Sequence, residues 1–178
     1  SRVDDWINGK RIAPVYLEIG ITRNCNIACV YCDYGTHRNK DKTFIPLEDL
    51  VRFLNDAASI GVKGVGIFGD GEPMLHSGVY DAVAVGKKAG LDMAISTNGQ
   101  IMKSNKLYEF LKNLTLIRFN ISAANPKSYA EVMGVKAKDF YRVIENIKNC
   151  VEIKRKYNLK TTIGMQMVLT SKSINDIV

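Results

Sequence analysis

No apolar stretch in this chain approaches the ~20 residues of a membrane-crossing helix, and no secretory leader pattern opens it. Internal repeats, low-complexity tracts and linker-like composition are also missing, so the chain reads as a single domain. Nowhere do basic and aromatic residues interleave as a base-stacking platform requires, which weighs against nucleic acid despite a formal net charge of +7. Lys87, Lys88, Lys103, Lys106, Lys148, Lys154, Arg155 and Lys156 fall mostly on predicted helix surfaces. The plain reading of that charge is solvated helix faces; the functional one is a dock for an acidic protein. Cysteine is sparse too, four in all, and three of the four crowd into one short segment, an arrangement ill-suited to disulfides. Without an export signal they read as metal ligands in a reducing compartment, which places the protein in the cytoplasm.

What is present is enough for one well-cored domain: 178 residues, 46% hydrophobic and 24% charged. Strand patterns at Val15–Thr22, Val62–Phe68, Leu91–Thr97, Leu116–Ser122 and Leu159–Leu169 alternate with helix patterns at Leu47–Ser59, Val79–Ala89, Asn105–Leu111 and Asp139–Lys156. Pro46 suits a first helical turn, and Gly61 and Gly90 suit left-handed helix caps. Such alternation predicts parallel strands joined by right-handed helical crossovers. A closed eight-unit barrel takes ~250 residues. The expected fold is therefore α/β, a partial TIM-like (β/α) barrel with five of about six units present and the last lying beyond Val178. Residues 1–14 read as an N-terminal segment with Trp6 packed on the barrel, residues 15–178 as the barrel core, and Ser173–Val178 as the first turns of another helix.

The strands carry a second signal. Leu17, Ile19 and Ile21 share one face of the first strand and Tyr16, Glu18, Gly20 and Thr22 the other; Arg118, Asn120 and Ser122 oppose Ile117, Phe119 and Ile121 in the fourth. Thr162, Gly164 and Gln166 share a face of the fifth, and Met165 and Met167 flank Gln166 on the opposite face, where core packing is the default expectation. Helices are expected on the apolar face. The other is a polar lumen lined by Glu18, Asn120, Ser122 and Gln166, unless these polar groups simply satisfy one another.

The first strand runs into Cys25-Asn26-Ile27-Ala28-Cys29-Val30-Tyr31-Cys32, which brings three thiolates together. Structural zinc takes four ligands, usually as two pairs. His37 could be a fourth, but it sits in a basic loop with no pairing pattern. Closely spaced thiolates fit iron–sulfur ligation better. Cys150 stands apart on an apolar helical face with Ile144, Ile147 and Val151, as a small buried hydrophobe would.

The Cys-x3-Cys-x2-Cys spacing, with Tyr31 before the last cysteine, resembles the radical S-adenosylmethionine (SAM) superfamily. Phe68-Gly69-Asp70-Gly71-Glu72-Pro73 is similar to that family's Gly-Gly-Glu-Pro motif, and Ser96-Thr97-Asn98-Gly99 and Asn120-Ile121-Ser122 match its cofactor-contacting strand ends. The resemblance implies that Cys25, Cys29 and Cys32 hold three irons of a [4Fe–4S] cluster, leaving the fourth iron to chelate the amino and carboxylate groups of SAM. It implies that the segment around Gly71 and Glu72 receives the methionine ammonium and that Tyr31 lies near the adenine. Ser96, Asn98, Asn120 and Ser122 are implied to bind ribose or carboxylate, and Gln166, with Val168, to complete the adenine pocket. Asp70 departs from the family's glycine; its side chain either points away or adds charge near the sulfonium.

No catalytic residue is fixed by the motifs. Glu18 is a candidate for substrate binding or for an ion pair with Arg118, and His76 for proton transfer or a purely structural role. The implied activity is reductive cleavage of SAM to a 5′-deoxyadenosyl radical that abstracts hydrogen from a sugar, nucleotide or peptide. Dehydrogenation, epimerisation and rearrangement all remain open as outcomes. A flavodoxin- or ferredoxin-type donor would suit the basic surface. The alternative is an iron–sulfur electron-transfer module without catalysis, which would need no SAM pocket.

Overall fold

The computed structural model describes residues 1–33 and 43–177; His37 lies outside them. Five strands, β1 (Tyr16–Ile19), β2 (Gly64–Ile67), β3 (Asp92–Thr97), β4 (Leu116–Asn120) and β5 (Thr162–Gln166), form one parallel sheet in the order β1-β2-β3-β4-β5. Helix α1 (Arg2–Ile7) precedes the sheet. Helices α2 (Leu47–Ser59), α3 (Val79–Lys88), α4 (Leu107–Asn113), α5 (Pro126–Met133) and α6 (Lys138–Lys156) fill the crossovers. Each strand lies beside the next in sequence, the arrangement of a partial (β/α) barrel.

The two faces of the sheet differ as the alternation requires. Val65, Ile67, Met93, Ile95, Ile117 and Phe119 are fully buried on the helix side. There Leu50, Leu54 and Ala57 of α2 and Val79, Ala82 and Val83 of α3 join the same core. On the other face Tyr16 and Glu18 are exposed, and Gly66 leaves room for the Tyr16 ring: a β-carbon there would lie 2.9 Å from its Cζ. Gly61 and Gly90 follow α2 and α3 with φ of +95° and +91°, the left-handed conformation that glycine adopts without a Cβ clash.

Helix α5 was not expected from the periodicity. At eight residues it is too short to repeat an apolar period, and its end signals define it instead. Asn125 caps it by accepting from the Lys127 and Ser128 amides, Pro126 opens the first turn, and Gly134 closes it in the left-handed conformation.

Three expectations are corrected. Trp6 is 66% exposed and does not pack on the barrel; α1 is held by Arg2, which donates to the carbonyls of Ala13 (2.9 Å) and Gly61. Met165, expected in the core by default, is 67% exposed on β5, an edge strand among the described residues. The segment after Ser173 forms a short 3-10 turn, Ile174–Asp176, rather than an α-helix. Among the described residues no helix is long and apolar enough to cross a membrane.

Candidate functional site

The cysteine segment follows β1 at the C-terminal end of the sheet and is fixed by its backbone. The Asn24 amide donates to Thr22 Oγ1 (3.0 Å), and the Asn24 carbonyl accepts from the Glu72 amide (2.8 Å). On the far side the Ala28 amide donates to the Met133 carbonyl (3.0 Å) and the Val30 amide to the Val132 carbonyl (2.9 Å). The segment is thus tied to the turn after β2 and to the end of α5. Cys25, Cys29 and Cys32, all partly exposed, line one cleft with Tyr31, Asp70, Gly71, Glu72, Ser96, Asn98 and Asn120.

Gly71 permits the first of these ties. A β-carbon there would lie 2.6 Å from the Thr22 carbonyl oxygen, so only glycine lets the β2 turn approach the cysteine segment this closely. The adjacent Glu72 is 2% exposed, and its carboxylate is fully engaged within the protein. Oε1 accepts from Thr97 Oγ1 (2.7 Å) and the Met74 amide (3.0 Å), and Oε2 accepts from the Asn98 amide (2.7 Å). Burial pushes this carboxyl up from its ordinary value, against the opposing pull of those three donors. Glu72 thereby joins the end of β2 to the end of β3. Asn98 is aimed in turn: its Nδ2 donates to Asn26 Oδ1 (2.8 Å), and its Oδ1 accepts from the Gln100 amide (2.9 Å).

A second network closes the opposite wall. Tyr31 Oη lies 2.9 Å from Ser122 Oγ and accepts from Asn120 Nδ2 at 2.9 Å. Ser122 Oγ donates to Asn120 Oδ1 (3.2 Å) and accepts from the Val168 amide (3.1 Å). Burial pushes the Tyr31 phenol up to about 12, so it keeps its proton and serves the network as a neutral hydroxyl.

The remaining candidates lie elsewhere. His76 is 5% exposed and is not in the cleft. Its Nε2 donates to the Ile45 carbonyl (2.7 Å), its Nδ1 accepts from the Gly78 amide (3.0 Å), and its ring meets Phe44 edge-on, so both nitrogens serve the fold. Glu18 stands on the open face of β1 beside Tyr16. Arg118 turns to Ser96 Oγ (3.3 Å) and lies over the Phe68 ring instead of pairing with Glu18. Gln166 lines a separate, mostly apolar cavity with Phe140, Ile144 and Met165 rather than the cysteine cleft. Asp70 sits at the cleft wall against Gly20. Cys150 is fully buried, and burial pushes its thiol up to about 12, in keeping with a core role.

Sequence reasoning missed Asn26, Thr97 and Met133. Asn26 lies inside the cysteine motif and Thr97 inside Ser-Thr-Asn-Gly, so both were within reach of closer attention to the motifs. Met133 belongs to the helix that periodicity did not reveal.

The donor set fits an iron–sulfur cluster better than a single ion. A structural single ion takes four ligands, and the cysteine segment offers three to the cleft. The three thiols instead face one open cleft, as ligands to different irons of a polynuclear centre would. The family model of the radical SAM superfamily matches residues 19–177. The chain belongs to this superfamily. Its members use a [4Fe–4S] cluster and SAM, and the cysteine spacing and cleft of this member fit both. A GTP 3′,8-cyclase of Helicobacter pylori (strain ATCC 700392 / 26695) is 31% identical over 166 residues, covering 90% of this chain and 48% of the relative. A GTP 3′,8-cyclase of Clostridium perfringens (strain SM101 / Type A) is 32% identical over 155 residues, covering 83% and 46%. The chain thus spans about half the length of the curated relatives it matches. Streptococcus suis SuiB bound to S-adenosylmethionine shares the fold with a TM-score of 0.78 at 22% identity, over 98% of this chain and 39% of that one. The [FeFe]-hydrogenase maturase HydG does so at 0.66 and 12%, over 96% and 39%.

Proposed function

We propose that this chain forms the SAM-cleaving core of a radical enzyme acting on a polar substrate, with a nucleotide as the substrate class. The observation that carries the reading is the single cleft in which the cysteine segment, the Gly71-Glu72 turn and the ends of β3 and β4 meet. The names of the curated relatives support the nucleotide. In this reading Cys25, Cys29 and Cys32 ligate three irons. A cluster held there would, once reduced, supply the one-electron chemistry that cleaves SAM reductively.

The protein's own residues position and shield. The Gly71-Glu72 backbone receives the methionine ammonium, since the Glu72 carboxylate is already occupied. Ser96, Asn98 and Asn120 offer polar groups at strand ends to ribose and carboxylate, and Tyr31 borders the adenine; Ser122, fully buried and outside the cleft lining, acts behind them by holding Asn120 and Tyr31. Gln166, which lines the separate apolar cavity beside Phe140 and Ile144, is given no part in holding the adenine. Asp70 lends a carboxylate to the cleft wall, and Glu18 offers one to the substrate on the lumen side. A flavodoxin- or ferredoxin-type donor docking on the basic surface supplies the electron, in keeping with a cytoplasmic enzyme.

The test is anaerobic reconstitution with iron and sulfide, followed by dithionite and SAM. 5′-Deoxyadenosine is the expected product; its absence from protein that carries a full cluster favours an electron-transfer module instead. Cys29→Ala is expected to lose the cluster while keeping its far-ultraviolet dichroism, with iron quantitation as the check. Four irons per chain in that variant would contradict the ligand assignment.

A further inference from the structure

Resting on the assignment of the three cysteines as cluster ligands, we propose that the C-terminal end of α5 is a built-in clamp for the cluster loop. Gly134 is the positioning residue that makes this close approach possible. Three independent observations converge on it. First, the two last residues of α5 give their carbonyls to the cysteine segment: Met133 to the Ala28 amide (3.0 Å) and Val132 to the Val30 amide (2.9 Å). These two amides flank Cys29. A helix leaves its last carbonyls without intrahelical partners, so the cysteine segment acts as the cap of α5 while α5 orders the segment. Second, Gly134 is left-handed (φ +64°, ψ +44°), and a β-carbon on it would lie 2.7 Å from the Ala28 Cβ and closer still to the Ala28 carbonyl oxygen. Both the backbone conformation and the contact therefore demand glycine. Third, Met133 is fully buried with its Sδ 3.9 Å from Cys29 Sγ and 3.6 Å from Tyr31 Oη, so the clamp reaches the ligand and the network behind it.

The clamp is itself anchored. At the opposite end of α5, Asp176 accepts from the Ala124 amide (2.7 Å), from Asn125 Nδ2 (2.8 Å) and from Ser128 Oγ. The helix is a short strut, pinned at its start by the turn at Ile174–Asp176 and at its end by the residues on either side of Cys29.

The experiment compares wild type, Gly134→Ala and Gly90→Ala after anaerobic reconstitution. Gly90 is also left-handed (φ +91°) but has nothing within 4 Å of a β-carbon, so its variant carries the backbone strain without the contact. The readouts are iron per chain, the rate of iron loss to a chelator, and far-ultraviolet dichroism of the apoprotein. Gly134→Ala is expected to lose iron about ten- to a hundredfold faster, the range typical of outer supports for metal ligands, while Gly90→Ala follows wild type. Equal iron loss from Gly134→Ala and wild type would overturn the clamp while leaving the cysteine assignment intact. A wild type that takes up no cluster would overturn both. Should Gly134→Ala fail to fold, amide exchange in wild type decides. The Ala28 and Val30 amides are expected to be protected together with those of α5 before cluster assembly; rapid exchange of both would overturn the clamp.

Discussion

Glu72 shows how a charged residue can sit at a cofactor site and yet spend its charge on the fold. Its two oxygens take three donors from two places along the chain, Met74 and the adjacent pair Thr97 and Asn98, and it is almost completely buried. Glu72→Gln keeps the shape but turns an NH2 group toward at least one of those donors. A buried donor facing a donor costs about 1–3 kcal/mol. For a domain of this size that amounts to a drop of about 2–4 °C in melting temperature per kcal/mol, readable by calorimetry. An unchanged melting temperature would contradict the role given to this carboxylate. Cys150 makes the opposite case. Its raised thiol stays protonated well above neutrality, and the protonated form is not the nucleophile. Native apoprotein at pH 8 is expected to show three thiols reactive toward a disulfide reagent, with the fourth appearing only on denaturation. The chemistry of the cysteines was legible in the sequence because it depends on spacing. The tasks of Glu72 and His76 were not, because partners such as Thr97, Asn98 and Ile45 are distant in the chain.

At the scale of elements, α2, α3 and α6 could be read from their apolar period, and the strands from alternation or from runs of Val and Ile. Helix α5 could be recognised only through its caps, Asn125, Pro126 and Gly134, yet it carries the contact that orders the cysteine segment. β5 was read as longer than it is, and Met165 as packed, because neither edge position nor exposure is encoded in a period-two pattern. The attachment of α5 to the terminal turn gives a pH dependence of known sign. Hydrogen bonds from Ser128, the Ala124 amide and Asn125 hold the Asp176 carboxyl below its ordinary 3.8. The stabilisation they bring is therefore complete above pH 3.8 and fades as pH falls through the lowered value in the folded chain. Protection of the Ala124 amide from exchange is expected to follow that course, and Asp176→Asn is expected to weaken it above pH 3.8 and to remove the pH dependence. Protection that does not change between pH 6 and pH 2 would contradict the latch.

For the molecule as a whole, the parallel order β1-β2-β3-β4-β5 follows from helices alternating with strands, since each crossover returns the chain beside the strand it left. The pooling of motifs at one end follows as well, because every motif begins where a strand stops. What the sequence could not reveal is the division of the open face. Glu18 and Gln166 share the polar lattice of the strands, but the cleft at the cysteines is bounded by Tyr31, Asn98 and Asn120, and Gln166 faces an apolar hollow beside Phe140 and Ile144. That division depends on where α5 and α6 come to rest. The proposed function rests on one arrangement: three thiolates on three irons, with a fourth iron left for SAM. Electron paramagnetic resonance of the reduced, reconstituted protein examines that arrangement. Addition of SAM is expected to change the g-values of the [4Fe–4S]+ signal as the amino and carboxylate groups reach the open iron. A spectrum indifferent to saturating SAM, from protein with a full complement of iron, would contradict it.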